Sequence, residues 1–333
     1  MSTSSNVTAF ARVTPLRRVW AENPRAQSLV WATLGMLGFS MTLTATRAAV
    51  PELGGVLVGL GRAVVAALLA VGVLAWRREL AFPWRHVRAL TGVALGVVIG
   101  FPLLSALALR SVPASHAQIF LGLSPLGTAI AASLRDRRER LPRTFWLAAS
   151  LGAITVAWFG WSNGGGAFSS SDVSLLLAVA CAAIGYAEGA RLARELGGFR
   201  VVCWALILAL PVTLPLSAWA LVEAPPTHVT WRAYLGFGYV SAVSMFLAFG
   251  AWYRGLALGN IARASQIQLA MPVLGLVWAA LLLHERLTPH AILAGLCVIV
   301  CTLGTQWIGA RPRPTKALTT TGGPWTPLSK CDR

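Results

Sequence analysis

Leu123-Ser124-Pro125, followed fourteen residues after the proline by Glu139-Arg140-Leu141, is a pattern this chain uses twice. The second copy is Ala270-Met271-Pro272 followed by Glu285-Arg286-Leu287. Pro125 to Pro272 spans 147 positions and Glu139 to Glu285 spans 146, so the copies keep register within one residue. In both places an apolar stretch carries the proline, a short polar turn carries the glutamate, and a second apolar stretch follows; the first copy extends over Ala106–Trp161 and the second begins near Gly255. A period near 147 in a chain of 333 residues divides it into two halves, the internal symmetry common among membrane carriers.

Working outward, the composition places both halves in a membrane. Hydrophobic residues make up 56% and charged residues 12% of the chain, with a mean hydropathy of +0.67; soluble domains carry about a quarter charged residues. Ten apolar runs lie near 29–46, 54–75, 88–109, 114–134, 145–162, 173–191, 201–221, 233–253, 264–283 and 290–309. Each is long enough to cross about 30 Å of hydrocarbon as a helix, and none has the period-two alternation of a membrane barrel strand. The expected fold is therefore an all-α integral membrane protein with ten transmembrane helices. Residues 1–27 read as a cytoplasmic tail, 28–162 as the first five-helix repeat and 163–172 as a Gly/Ser linker. The second repeat is 173–309, and 310–333 is a disordered cytoplasmic tail rich in proline and threonine.

A formal net charge of +17 would suggest nucleic acid in a soluble protein. Its distribution argues otherwise. With the N-terminus inside, 23 of the 28 basic residues fall in cytoplasmic tails and loops, leaving Arg47, Arg62, Arg110, Arg232 and Arg286 on the outer half. The positive-inside rule thus predicts both termini in the cytoplasm, with membrane lipid and not nucleic acid as the partner of the charge. Five helices is an odd number, so the second repeat must enter the membrane inverted. The repeated motif agrees: Glu139 is flanked by Arg135, Arg137, Arg138 and Arg143, whereas Glu285 has only Arg286. No apolar stretch with a cleavage site precedes the first helix. Cys181, Cys203, Cys297, Cys301 and Cys331 have no zinc or disulfide spacing; Cys297 and Cys301, four apart on one helix, suit packing better than ligation. No nucleotide-binding or His-Glu-x-x-His sequence is present, so neither an ATPase nor a metalloenzyme is expected, and no cofactor is required.

Chemistry inside a membrane falls first on its ionisable residues, because a charge in hydrocarbon costs several kcal/mol unless paired or wet. Arg62 is the deepest cation. It reads either as an anchor for an anionic or carboxylate-bearing solute, through its guanidinium fork, or as a packing residue bonded to carbonyls or snorkelling outward. Glu188 is the single carboxylate inside an expected span; it reads either as a proton carrier raised in pKa by burial or as the i,i+3 partner of Arg191. Gln118, Gln266 and Gln268 can bond a solute or another helix. Tyr186, with Trp204, Tyr239, Trp252, Tyr253 and Trp278, either lines a substrate path or belongs to interfacial belts. Pro125 and Pro272 are expected to bend helices four and nine at matching places. Gly92, Gly96 and Gly100 form a small-residue face for close helix packing.

Together these residues resemble the EamA-type transporters of the drug/metabolite transporter superfamily, ten-helix carriers built from two EamA repeats. The resemblance is carried by Gly61-Arg62 at the start of helix two, Leu123-Ser124-Pro125 leading to Glu139-Arg140-Leu141, and the run from Gly255-Leu256-Ala257 through Gln268, Pro272 and Glu285-Arg286-Leu287. It covers about residues 29–309. It implies an inner-membrane carrier, not an enzyme, with a central cavity between helices 1–4 and 6–9 and helices 5 and 10 at the periphery. Export of amino acids or related small metabolites is the activity it implies, by alternating access of the two halves, with a homodimer left open. A membrane-embedded lipid-handling protein or enzyme without ATP use is the alternative. It should gather several His, Asp or Glu residues at one depth, and this sequence does not.

Overall fold

The computed structural model describes residues 23–135, 143–163, 168–258, 267–268 and 270–309. Gln266 and Glu139-Arg140-Leu141 lie outside these residues, as do the far ends of both tails. The described residues form ten helical passes and no strand. They are α1 (Pro24–Leu53), α2 (Leu57–Trp76), α3 (Trp84–Ala108), α4 in two pieces (Ala114–Leu121 and Ser124–Arg135) and α5 (Arg143–Asn163). The second half supplies α6 (Ser170–Leu196), α7 (Gly198–Glu223), α8 (Trp231–Leu258), α9 (Ala270–Leu283) and α10 (Pro289–Gly309). Seven of them, α1–α3 and α5–α8, are long and apolar enough to cross a membrane as single helices. The α6 helix begins two residues before the end of the expected linker, because Ser169 caps it: its hydroxyl accepts from the Asp172 amide while the Asp172 carboxylate accepts from the Ser169 amide.

Neighbour relations show the two-fold organisation. The α2 helix packs on α7, α5 on α10, and α4 on α9, each helix on its own counterpart in the other half. Cross pairs obey the same operation, with α1 against α8 and α6 against α3. As expected, α5 and α10 form a pair at the edge of the bundle.

Successive helices alternate in direction, and polar contacts confirm which ends share a face. On one face, the Glu52 carboxylate at the end of α1 accepts from the Thr230 amide and hydroxyl before α8, Arg47 donates to the carbonyls of Leu109 and Arg110 after α3, and Glu285 after α9 meets the start of α4. On the opposite face Arg200 pairs with Glu79 at 3.1 Å, His86 lies 3.6 Å from Glu195, and the Arg254 guanidinium stacks over Trp31.

Without water to drive apolar surfaces together, helix association in lipid relies on close packing of small residues. Here glycines set the cross pairs. A Cβ on Gly96 would lie 2.9 Å from the Gly185 Cα, and one on Gly185 would lie 2.5 Å from Val97 Cγ1. In the equivalent pair, Gly35 abuts the Trp252 backbone and Gly255 abuts Ala32. The α2 face toward α7 is likewise small, with Ala63, Ala66, Ala67 and Ala70 buried, while Val65, Leu68, Leu69 and Val71 turn outward as a lipid-facing surface should.

Replacing Gly185 by leucine should force α3 and α6 apart. Overpacking of this kind costs about 1–3 kcal/mol, and the expected result is a lower thermal midpoint in detergent and less protein in the membrane fraction, with Ala187→Leu on the same helix as the comparison.

Candidate solute site

Three passes contain wide π-helical turns, Leu57–Gly61 in α2, Ala94–Gly100 in α3 and Tyr239–Ala248 in α8. In α3 the local reason is visible: Pro102 has no N–H to offer the preceding turn, and the Phe101 amide donates to Gly96, five residues back. Such wide turns change which side chains face inward and recur at functional sites. Arg62 directly follows the first, Phe101 directly follows the second, and Ser244 and Met245 lie within the third.

These residues meet at the centre. Arg62, Phe39, Thr42, Phe101, Tyr186 and Phe249 line an internal space of about 320 Å³, closed further by Ser244, Met245, Leu121 and Met271. The lining comes from both halves. In this conformation the free volume amounts to about one ordered water, so the side chains leave little room between them. Phe39 and Phe249 meet edge to face with centroids 4.6 Å apart, and Tyr186 lies 6.0 Å from Phe249. Thr42 and Ser244 hydroxyls are 2.8 Å apart, tying α1 to α8 at the cavity wall.

Arg62 is 1% exposed, and its Nε and Nη2 have no hydrogen-bond partner. Among the described residues, no acidic side chain lines the cavity. Burial excludes outward snorkelling of Arg62, and among the described residues no carbonyl meets its Nε or Nη2. A buried cation without a counter-charge costs several kcal/mol, and that unsatisfied chemistry marks the site.

Tyr186 reaches the same space. Gln118 stands beside it, 1% exposed, with its Nε2 3.4 Å from the Ser40 and Met271 carbonyls and its Oε1 unpartnered; it occupies the room left by Gly275. Gln118 therefore joins α4 to α1 and α9. Gln268 is 3% exposed with an unpartnered Nε2. Glu188 is directed elsewhere: it pairs with Arg191 at 3.2 Å and packs over Gly92 of α3.

Pro125 lies at an interruption in the middle of the α4 pass, and Pro272 lies close to the described start of α9. The α4 pass breaks at Gly122-Leu123 and restarts at Ser124, placing Pro125 in the first turn of the second piece, where a missing N–H costs nothing. Pro272 occupies the matching first turn of α9 as described from Ala270. The break leaves Ala114–Leu121 a separate segment, held at its N-terminus by the other half. Ala114 and Ser115 amides donate to Glu285 Oε1 and Oε2 at 2.8 and 2.9 Å, and His116 Nε2 lies 2.6 Å from Asp172 Oδ1. The glutamate of the repeated motif is thus a cap supplied across the two-fold. Sequence reasoning passed over His116, Asp172 and this role of Glu285; the missing signal was a contact between residues 171 positions apart.

A bundle of two inverted five-helix halves around a central cavity lined from both defines a membrane transporter of the repeat-carrier class. The chain belongs to the EamA-like transporter family, whose model matches it twice, at residues 27–161 and 169–306. It is 41% identical over 279 residues to the Uncharacterized transporter YdeK of Bacillus subtilis (strain 168), a match covering 82% of this chain and 94% of that protein. A solved crystal structure, 20% identical, superposes with a TM-score of 0.56 over 84% of this chain and 96% of its own, a likeness of fold.

Two outcomes follow. Arg62→Met removes a buried charge without a described counter-charge and should raise the thermal midpoint of the solute-free protein in detergent; a lower midpoint would show that the guanidinium is structurally satisfied. Glu285→Gln keeps one bond as a weaker neutral one and turns an NH2 donor toward the other amide, so it should lower stability by about 1–3 kcal/mol, read from the same melting curves.

Proposed function

We propose that the protein is a secondary transporter that exports small metabolites bearing a carboxylate, amino acids or their relatives, across the inner membrane by alternating access. The observation that carries this reading is the buried Arg62 guanidinium, its Nε and Nη2 without a partner, in a cavity lined by both inverted halves. A carboxylate solute supplies the missing counter-charge through the planar fork. The segment Ala114–Leu121, broken from the rest of α4 and latched by Glu285 and Asp172, is the moving part on the face we assign to the outside. Release of that latch opens the cavity outward, and parting of α1 from α8 and α3 from α6 at the opposite face opens it inward. Both termini are then cytoplasmic, consistent with the basic loops, and lipid contacts the apolar outer surfaces.

Proton coupling through Glu188 belongs to this proposal as a separate element, and Gln118, Gln268 and Tyr186 are its candidate solute contacts. Gln266 is retained with them on sequence grounds. The lipid-handling alternative gains nothing from the cavity, which lacks an acid–base pair.

Extracellular metabolites from cells overproducing wild type, Arg62→Met or empty vector test the reading. One carboxylate class should accumulate outside with wild type and fall at least about tenfold with the variant at equal membrane levels, a factor equivalent to about 1.4 kcal/mol. Identical profiles for wild type and vector would reject export. Glu188→Gln should abolish dependence of flux on an imposed pH gradient; unchanged dependence removes Glu188 from coupling.

A further inference from the structure

The sequence contains eleven acidic residues, few enough to follow each one. Glu52 is spent on Thr230, Glu79 on Arg200, Asp172 on His116 and Ser169, Glu188 on Arg191, Glu195 on His86 and Glu285 on the amides of Ala114 and Ser115. Glu223 is the last residue of α7 and is exposed. Glu22, Asp136, Glu139 and Asp332 lie outside the described residues, in the tails and the α4–α5 connection. Apart from Glu188, which lies inside α6 and pairs with Arg191, every acidic residue in the described helices is at or near a helix end, and none lines the cavity.

A free amino acid brings a carboxylate and an ammonium within one residue of each other. Arg62 accepts the first. For the second the cavity offers no carboxylate, and an ammonium placed beside the carboxylate would also sit close to the buried guanidinium. Repulsion between two like charges is strong where water is excluded, and burying an ammonium without a partner is costly. The Phe and Tyr faces are a partial remedy at best, because a cation–π contact is worth little against an adjacent full positive charge. Those same rings suit an apolar or aromatic body. Four of the ten lining residues are aromatic, Phe39, Phe101, Tyr186 and Phe249, and the neutral polar groups are the paired hydroxyls of Thr42 and Ser244 and the Tyr186 phenol.

We infer that the cavity selects monoanionic carboxylates with an apolar or aromatic body and discriminates against the corresponding zwitterions and amines. This rests on the Arg62-anchored transporter reading above and restricts its carboxylate solutes to those other than free amino acids: the substrate is an organic acid without an α-ammonium group. The carboxylate lies on Arg62, the body lies between Phe39, Phe101, Tyr186 and Phe249, and a neutral α-substituent such as a hydroxyl or keto oxygen is accommodated by Thr42 or Ser244.

Three matched probes test it on the full-length purified protein. Phenylalanine carries both charged groups, 3-phenylpropionate lacks the ammonium, and 2-phenylethylamine lacks the carboxylate. Binding is read by thermal shift and by tryptophan fluorescence, and transport by counterflow in proteoliposomes. The expected result is saturable binding and counterflow of 3-phenylpropionate, at least about tenfold weaker binding of phenylalanine, and none of the amine. Arg62→Met should lose 3-phenylpropionate while remaining folded by its melting curve, and Arg62→Lys should recover part of the affinity. Phenylalanine binding as tightly as 3-phenylpropionate overturns the inference and leaves the Arg62-anchored transporter intact. Preference for the amine overturns both the inference and the anion site. If wild type binds and moves none of the three, the inference fails; if the export comparison also finds no difference between wild type and vector, the transporter reading fails with it.

Discussion

A guanidinium held in the middle of a lipid-embedded bundle without a counter-charge is the constraint around which the rest of this protein is arranged. Hydrocarbon cannot solvate Arg62 and the surrounding helices do not neutralise it, so the resting state carries a cost of several kcal/mol that the packing elsewhere must offset. That packing is made from small residues: the alanine face of α2 and the glycine contacts between α3 and α6 and between α1 and α8. Stability is gained at the helix crossings, away from the cavity, and the strained electrostatics stay where a solute can relieve them.

Symmetry and its local failure divide the labour. The offset of 147 relates Phe39 to Tyr186, and one residue more relates Phe101 to Phe249, so the aromatic wall is two-fold repeated. At the same offset the counterpart of Arg62 is Ala209. The repeated parts supply two nearly equivalent closures, the requirement for exposing one site alternately to two sides. The unrepeated arginine gives the cavity a polarity and hence a chemistry. Duplication provides the mechanics and substitution at one position provides the specificity.

Most of the described carboxylates are used at helix ends, as caps, latches or ion pairs. Ser169 and Asp172 form a capping box on α6; Glu285 closes the start of α4 from the opposite half; Glu52 does the same for the entry to α8. Helix N-termini expose unpaired amides and a partial positive charge, so a carboxylate from the other repeat both satisfies hydrogen bonds and records the closed state. Breaking α4 at Gly122-Leu123 makes such a latch consequential, because the piece it holds is only eight residues long and joined to the remainder through the break.

Hydropathy, the 147-residue period and the placement of basic loops were sufficient to read an all-α membrane protein of two inverted five-helix repeats, since lipid imposes helices on any long apolar run and an odd repeat imposes inversion. The same reading singled out Arg62 and Tyr186, because charge at membrane depth is rare enough to be noticed from sequence. What it left open were the partners. Whether Glu188 faces a solute or Arg191, whether Gln118 holds a solute or neighbouring carbonyls, and what the glutamate of the repeated motif does are questions of direction around a helix and of contact across the two halves. The π-helical turns in α2, α3 and α8 shift that direction by a fraction of a turn, and no local pattern in the sequence announces them. Only the tertiary arrangement decided that the aromatic rings converge on an arginine and that every described carboxylate is turned away from it.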